Sequence, residues 1–211
     1  MLCHWRFAIC GTRIRAVDVL VGRPDPIADA GSGSKEAVPQ LPEMTTVLET
    51  TLFNSDEMLA DLVPWVRVES PTMAVAGVNR MMDLAAAELQ SLGGTIERTP
   101  GRTGFGDIVI GRLPGSDPTA EAGTLILSHL DTVHLEGTLE GRLPLRRDGD
   151  RYFGPGIYDM KGGVRIALHA LRTLKAAGRT PRRPVSFMLV PDEEVGSPTS
   201  RERIEAEARR H

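Results

Sequence analysis

The sequence predicts an α/β domain built on a mixed, largely parallel sheet with helices on both faces. Three observations carry this. Segments of helical periodicity alternate along the chain with short apolar runs. Two of those runs, Thr124–Ser128 and Val185–Val190, are continuous rather than alternating, as strands covered on both faces are. Side chains that can ligate a metal follow both runs directly, and ligands of open α/β sheets gather beyond the carboxyl ends of strands.

Composition narrows the class further. With 211 residues, 41% hydrophobic and 25% charged, the chain fits one ordinary globular domain with a tail. A net charge of -3 gives no reason to expect nucleic acid as a partner. No apolar run approaches the ~18–20 residues that span a bilayer, so no membrane partner is expected. The two cysteines, Cys3 and Cys10, precede the folded region, which leaves neither a disulfide framework nor a thiolate zinc site. Residues 1–46 are the least domain-like stretch, with Gly31-Ser32-Gly33-Ser34 and Pro39-Gln40-Leu41-Pro42. Arg6, Arg13 and Arg15 precede the first acid, Asp18, a weak likeness to an organellar transit peptide. The expectation is a disordered or non-native extension over 1–46, a folded region over 47–211, and a cytoplasmic location.

Each element has its own signal. A first helix is expected from Ser55 to about Arg67, capped by Asn54 or Ser55, with Met58, Leu59, Leu62 and Val63 as its apolar stripe and Pro64 ending or kinking it. Ser70-Pro71-Thr72 reads as a connector. Val78–Leu92 is amphipathic, with Val78, Met81, Met82, Ala85, Leu89 and Leu92 at helical spacing and Gly93-Gly94 as the stop. Thr95–Arg98 and Asp107–Gly111 read as strands, and Pro114–Gly123 as a polar loop. Lys161–Ala177 is the best helix, with Val164, Ala167, Leu168, Leu171 and Leu174 on one side and Gly178 at its end. Thr199 with Glu202 suggests a capping box for a last helix reaching about Arg210.

The chemistry lies in three short segments: Ser128-His129-Leu130-Asp131-Thr132, Gly154-Pro155-Gly156-Ile157-Tyr158-Asp159-Met160-Lys161-Gly162-Gly163, and Pro191-Asp192-Glu193-Glu194-Val195-Gly196. His, Asp and Glu are the ligands a zinc ion takes when thiolates are absent. Each segment alone has an ordinary reading. A histidine at a strand end is more often satisfied by hydrogen bonds, Asp159 can cap the helix that follows, and a Glu-Glu pair can simply open a surface loop. The three together point to a metal site. His134, His169 and His4 have no motif around them, and His169 reads as surface or core filler. Arg146-Arg147 and Arg182-Arg183 read as solvated faces.

These segments resemble the dinuclear zinc exopeptidases and deacylases, a family that includes glutamate carboxypeptidase, acetylornithine deacetylase and succinyl-diaminopimelate desuccinylase. The likeness to the glutamate carboxypeptidase branch is carried by His129–Val133, Gly137, Gly149-Asp150 and Tyr152–Gly163. It covers roughly Met58 onward. The resemblance implies that His129 ligates one metal, that Asp131 holds the other ring nitrogen of His129, that Asp159 bridges two metals and that Glu194 ligates the second. It implies a cis peptide after Asp159. Glu193 would be the general base and acid, moving a proton from the attacking water to the leaving amine. Two zinc ions per complete site are implied, with cobalt or manganese as possible substitutes. The implied substrate is a small peptide or N-acyl amino acid, cleaved at an amide bond beside a free carboxylate. The family also implies an acid a short distance past Glu194, a histidine near the far C-terminus, and a lid or dimerisation domain between them that makes a homodimer. None of these precedes His211. The chain is therefore expected to be the first half of a catalytic domain, binding metal weakly and showing little activity alone. The rival reading is a non-catalytic chain with at most a binding role.

Overall fold

The computed structural model describes residues 54–120 and 122–211. The extension expected over 1–46, with Cys3, Cys10 and His4, lies outside the described residues, as does the stretch from 47 to 53.

Among the described residues, four α-helices and two sheets follow in order. They are α1 (Ser55–Val66), α2 (Val75–Ser91), β1 (Thr95–Thr99), β2 (Ile108–Leu113), β3 (Thr124–His129), β4 (Arg146–Asp148), β5 (Arg151–Phe153), α3 (Gly162–Ala176), β6 (Val185–Val190) and α4 (Arg201–Ala208). The larger sheet has the order β1-β2-β6-β3, and β4 and β5 form a separate hairpin. The larger sheet is mixed, as expected. "Largely parallel" holds only for β3 with β6, since β1–β2 and β2–β6 are antiparallel. A parallel neighbour needs a long crossover, and β3 and β6 are separated by the hairpin and α3.

The period-2 alternation of strands divides the core between two faces. On one face Val109 and Leu113 of β2 and Val185, Phe187 and Leu189 of β6 pack against Val78, Met81, Met82, Ala85 and Leu89 of α2 and Val164, Leu168 and Leu171 of α3. On the other, Ile108, Ile110, Met188 and Val190 meet Leu125 of β3 and Ile204 of α4. Helices thus cover both faces, and β6 is buried throughout, as its unbroken apolar run implies.

Several local expectations are refined. The Asn54 side chain caps α1, accepting from the backbone N–H groups of Asp56 and Glu57 at 3.1 and 3.2 Å. Pro64 does not end that helix, because α1 continues to Val66 and buries Trp65 and Val66 beyond the proline. The α2 helix starts three residues earlier than its apolar stripe. The α4 helix has no side-chain cap from Ser200 at its N-cap, so the expected Thr199–Glu202 box is not formed. Asp192 replaces it: the fully buried carboxylate accepts from Thr199 N and Oγ1 at 2.6 and 2.8 Å and from Ser200 Oγ at 2.5 Å.

A buried ion pair ties α4 to the sheet. Arg112 of β2 donates to both carboxylate oxygens of Glu207, at 2.5 and 3.0 Å, and Glu207 is almost fully buried. The Arg112 hydrogen bonds hold the Glu207 carboxyl below its usual range despite burial. Removing one member of a buried pair leaves an uncompensated charge, so Arg112→Ala is expected to cost about 3–5 kcal/mol, read by urea denaturation. An effect under about 1 kcal/mol would show the pair to be solvated in effect.

Candidate metal centre

The site forms where three chain segments meet at the carboxyl ends of β3 and β6. The strands run parallel, with His129 opposite Val190. His129 is therefore the last residue of β3, and Glu193 and Glu194 open a tight turn (Glu193–Val195) just past β6. The third segment is the irregular turn Ile157–Lys161, in which Asp159 and Met160 leave helical geometry before α3 begins. The peptide between Asp159 and Met160 is cis.

Two features fix that turn. Gly156 has φ of 69°, and a Cβ there would fall 2.7 Å from Thr132 Cγ2, so the position needs glycine both for backbone and for space. Lys161 is fully buried, and its ammonium donates to Val68 O at 2.6 Å and Trp65 O at 3.3 Å. These carbonyls lie at and just past the end of α1, where backbone acceptors lack intrahelical partners and cations are favoured. Burial pulls the Lys161 amine down to about 8 against the opposing charge of Glu69.

Ligand-type atoms of His129, Asp159 and Glu194 all lie within 4.8 Å of one another. His129 is buried and its ring is held on both sides. Nδ1 is 3.0 Å from the backbone oxygen of Asp131 and 3.3 Å from its Oδ1, while Nε2 is 3.0 Å from Asp159 Oδ1 and 3.6 Å from Glu193 Oε2. The carboxylates of Asp159 and Glu193 are open, with side-chain exposures of 65% and 54%. A nitrogen and carboxylate oxygens gathered this closely, around a fixed imidazole, fit a divalent ion of the zinc type.

Asp131 is the hub. It is fully buried, and its carboxylate accepts from Thr72 Oγ1 at 2.8 Å and from the backbone N–H groups of Glu193 and Glu194, each at 3.2 Å. One side chain therefore orients the imidazole from β3 and clamps the turn after β6. Thr72 was not singled out by the sequence beyond belonging to a connector. Its loop is drawn in by Ser70, whose hydroxyl donates to Leu130 O and whose carbonyl accepts from Thr132 N, both at 2.8 Å. No residue-type signal marks these contacts, apart from a hydroxyl pair flanking a proline.

Electrostatics follow from this geometry. Burial alone would lower the His129 pKa, but Asp131 beside it, aided by Glu193 and Asp159, raises it from 6.5 to about 9. Burial pushes Asp131 up, and the bonds from His129, Thr72 and Glu194 N–H more than offset this, leaving it below the usual carboxylate range. Glu194 is raised, first by burial and then by its acidic neighbours against the pull of His129. His129 thus carries a proton at neutral pH, one that a cation bound at Nε2 would have to displace. A folded-state pKa above the unfolded one adds stability below the unfolded value and loses it as pH rises through the folded value. The stability advantage over His129→Asn is expected to be full below pH 6.5, on the order of 3 kcal/mol, and to vanish as pH rises through about 9. Melting both proteins in chelator from pH 6 to 10 tests this, and a constant difference would contradict it.

The domain is therefore α/β, with His, Asp and Glu side chains gathered past the carboxyl ends of its two parallel strands. Residues 125–211 match the profile of Peptidase family M20/M25/M40. Over those residues the chain is similar to that family. Over 145 residues it is 36% identical to carboxypeptidase G2 of Pseudomonas sp. (strain RS-16), a match covering 68% of this chain and 34% of the relative. Among solved structures it is similar to human carnosine dipeptidase 1, with a TM-score of 0.62 and 26% identity, over 72% of this chain and 35% of that one. It shares the fold of an M20 family metallo-carboxypeptidase from Sulfolobus solfataricus, with a TM-score of 0.57 and 21% identity, over 72% of this chain and 34% of that one. The chain therefore spans about a third of the length of these relatives. Among the described residues, no helix is long and apolar enough to cross a membrane.

Proposed function

We propose that this chain carries the catalytic half-site of a metal-dependent exopeptidase or amidohydrolase, acting on an amide bond next to a free carboxylate. The observation that carries the reading is the convergence of His129, Asp159 and Glu194 beside the unligated carboxylate of Glu193. His129, Asp159 and Glu194 would hold the metal, and Asp159 would be the ligand shared between two ions in a complete site. Zinc is the ion that this donor set favours, with cobalt or manganese as substitutes. When bound, such an ion polarises the substrate carbonyl and acidifies water. The chain's own residues do the rest. Asp131 holds His129 in the tautomer that presents Nε2. Glu193, exposed and facing the same space, takes the proton from attacking water and returns it to the leaving amine.

A cleft adjoins the ligands, lined by Val133, Tyr152, Phe153, Tyr158, Asp159 and Glu194. Its apolar wall suits the side chain or acyl group of a small peptide or N-acyl amino acid. The hairpin β4–β5 supplies Tyr152 and Phe153, and Arg146 stacks on Phe153 at 3.8 Å from the ring centre. Three ligands, one of them shared, are fewer than two zinc ions take, since each ion normally takes three or four. The described residues are therefore expected to hold at most one ion at this site. In a protein that carries this segment at the length of its relatives, hydrolysis of acyl-glutamate substrates should disappear in chelator and return with zinc. Hydrolysis unaffected by exhaustive chelation would overturn the assignment.

A further inference from the structure

We propose that Glu57, Asp61 and His169 form a second divalent-cation site, between α1 and α3, that shares no residue with the His129 cluster. Glu57 and Asp61 lie one helical turn apart on α1, so their carboxylates share a face. His169 projects from α3, and ligand-type atoms of all three lie within 4.8 Å of one another.

The independent pointer is the imidazole. His169 is 4% exposed, and neither ring nitrogen has a hydrogen-bond partner among the described residues. Buried polar groups in folded proteins are almost always satisfied, so two orphaned nitrogens on one ring call for a missing partner. A packing histidine would hydrogen-bond at least once, and this one faces two carboxylates instead. One imidazole nitrogen and two carboxylate oxygens, with coordination positions left for water, suit zinc or a similar transition ion.

The surrounding charges permit a cation. Arg165 and Arg172 flank His169 along the same stripe of α3, and both also pair with Glu88. Their contacts to Asp61, at 3.0 and 2.5 Å, are both to Oδ2, so Oδ1 is the oxygen that can ligate. Arg172 stands 4.0 Å from Glu57. Three carboxylates against two guanidiniums leave the cluster with one net negative charge before any ion binds.

Equilibrium dialysis against zinc in an Asp159→Asn/Glu194→Gln background isolates this site from the candidate metal centre. We expect that background to bind one zinc ion per chain, and either His169→Leu or Glu57→Gln added to it to weaken binding by about tenfold or more. Glu57 is 52% exposed, so its substitution leaves folding intact even if the buried change does not. Absence of a bound ion in the background, or binding that survives Glu57→Gln unchanged, would overturn the proposal. Neither result depends on whether the first site is catalytic.

Discussion

Asp131→Ala should be among the most destabilising substitutions in the described fold, costing about 3–5 kcal/mol by urea denaturation. The carboxylate accepts from Thr72 Oγ1 and from two backbone amides, and it neutralises a buried imidazolium. Alanine leaves all of these donors in a buried site without an acceptor, and each stranded group costs on the order of 1–3 kcal/mol. Asp131→Asn keeps the shape and one acceptor but loses the charge, so it should fall between alanine and the native protein. Asp148 in the exposed hairpin strand β4 is the control, because its replacement should move stability by no more than about 0.5 kcal/mol. If Asp131→Ala melts like Asp148→Ala, the hub is not holding the site together.

Glu193→Gln should have the opposite profile. It should leave stability and metal content unchanged and lower the catalytic rate by about 100- to 10,000-fold. The reason is a division of labour within one residue. The backbone N–H of Glu193 is bonded to Asp131, whereas its side chain is half exposed and faces the His129 ring at 3.6 Å. An amide cannot accept and return a proton, yet it fills the same volume. The measurement is kcat alongside zinc stoichiometry, in a protein carrying this segment at the length of its relatives. An unchanged rate would remove Glu193 from proton transfer. A rate lost together with the metal would make it a ligand.

The parts of the fold that could be read in advance are those where side-chain type and backbone period agree. The stripe from Val78 to Leu92 predicts the buried face of α2, though not its start at Val75, and the unbroken Val185–Val190 run predicts a strand covered on both sides. Thr124–Ser128 looks the same in sequence, yet β3 pairs only with β6 among the described residues, and Leu127 is 43% exposed. Strand position in a sheet is a long-range property, and no local pattern records it. The hairpin β4–β5 carries no such pattern, because its strands, Arg-Arg-Asp and Arg-Tyr-Phe, are too short to show an apolar alternation. Its signal was the two-residue Gly149-Asp150 loop between the paired Asp148 and Arg151, with Gly149 at φ of 62°.

The candidate site divides in the same way. The residue types of His129, Asp159, Glu193 and Glu194 are visible in the chain; the β3–β6 pairing brings His129 beside Glu193 and Glu194, and the turn Ile157–Lys161 adds Asp159. The Asp131 contacts to the amides of Glu193 and Glu194 could not be read, since a backbone N–H carries no residue identity. Nor could the Asp192 cap on α4, where the acceptor stands seven residues before the group it serves. His169 reads as surface or core filler by motif; it is buried, and only the packing of α1 against α3 shows the two acids beside it.

The unequal burial of the ligands bears on how tightly the site can bind. His129 has already lost its rotamer freedom on folding, held by Asp131 below and strand β3 behind. Asp159, mostly exposed on an irregular turn, still has that freedom to lose when an ion arrives. Ordering such a side chain takes back part of what each coordination bond gives. Affinity at this site therefore carries an ordering cost at Asp159 in addition to the cost of removing the His129 proton. Contacts that immobilise the turn from Ile157 to Lys161, such as a bound substrate or a closing partner surface, would tighten metal binding without adding a single ligand.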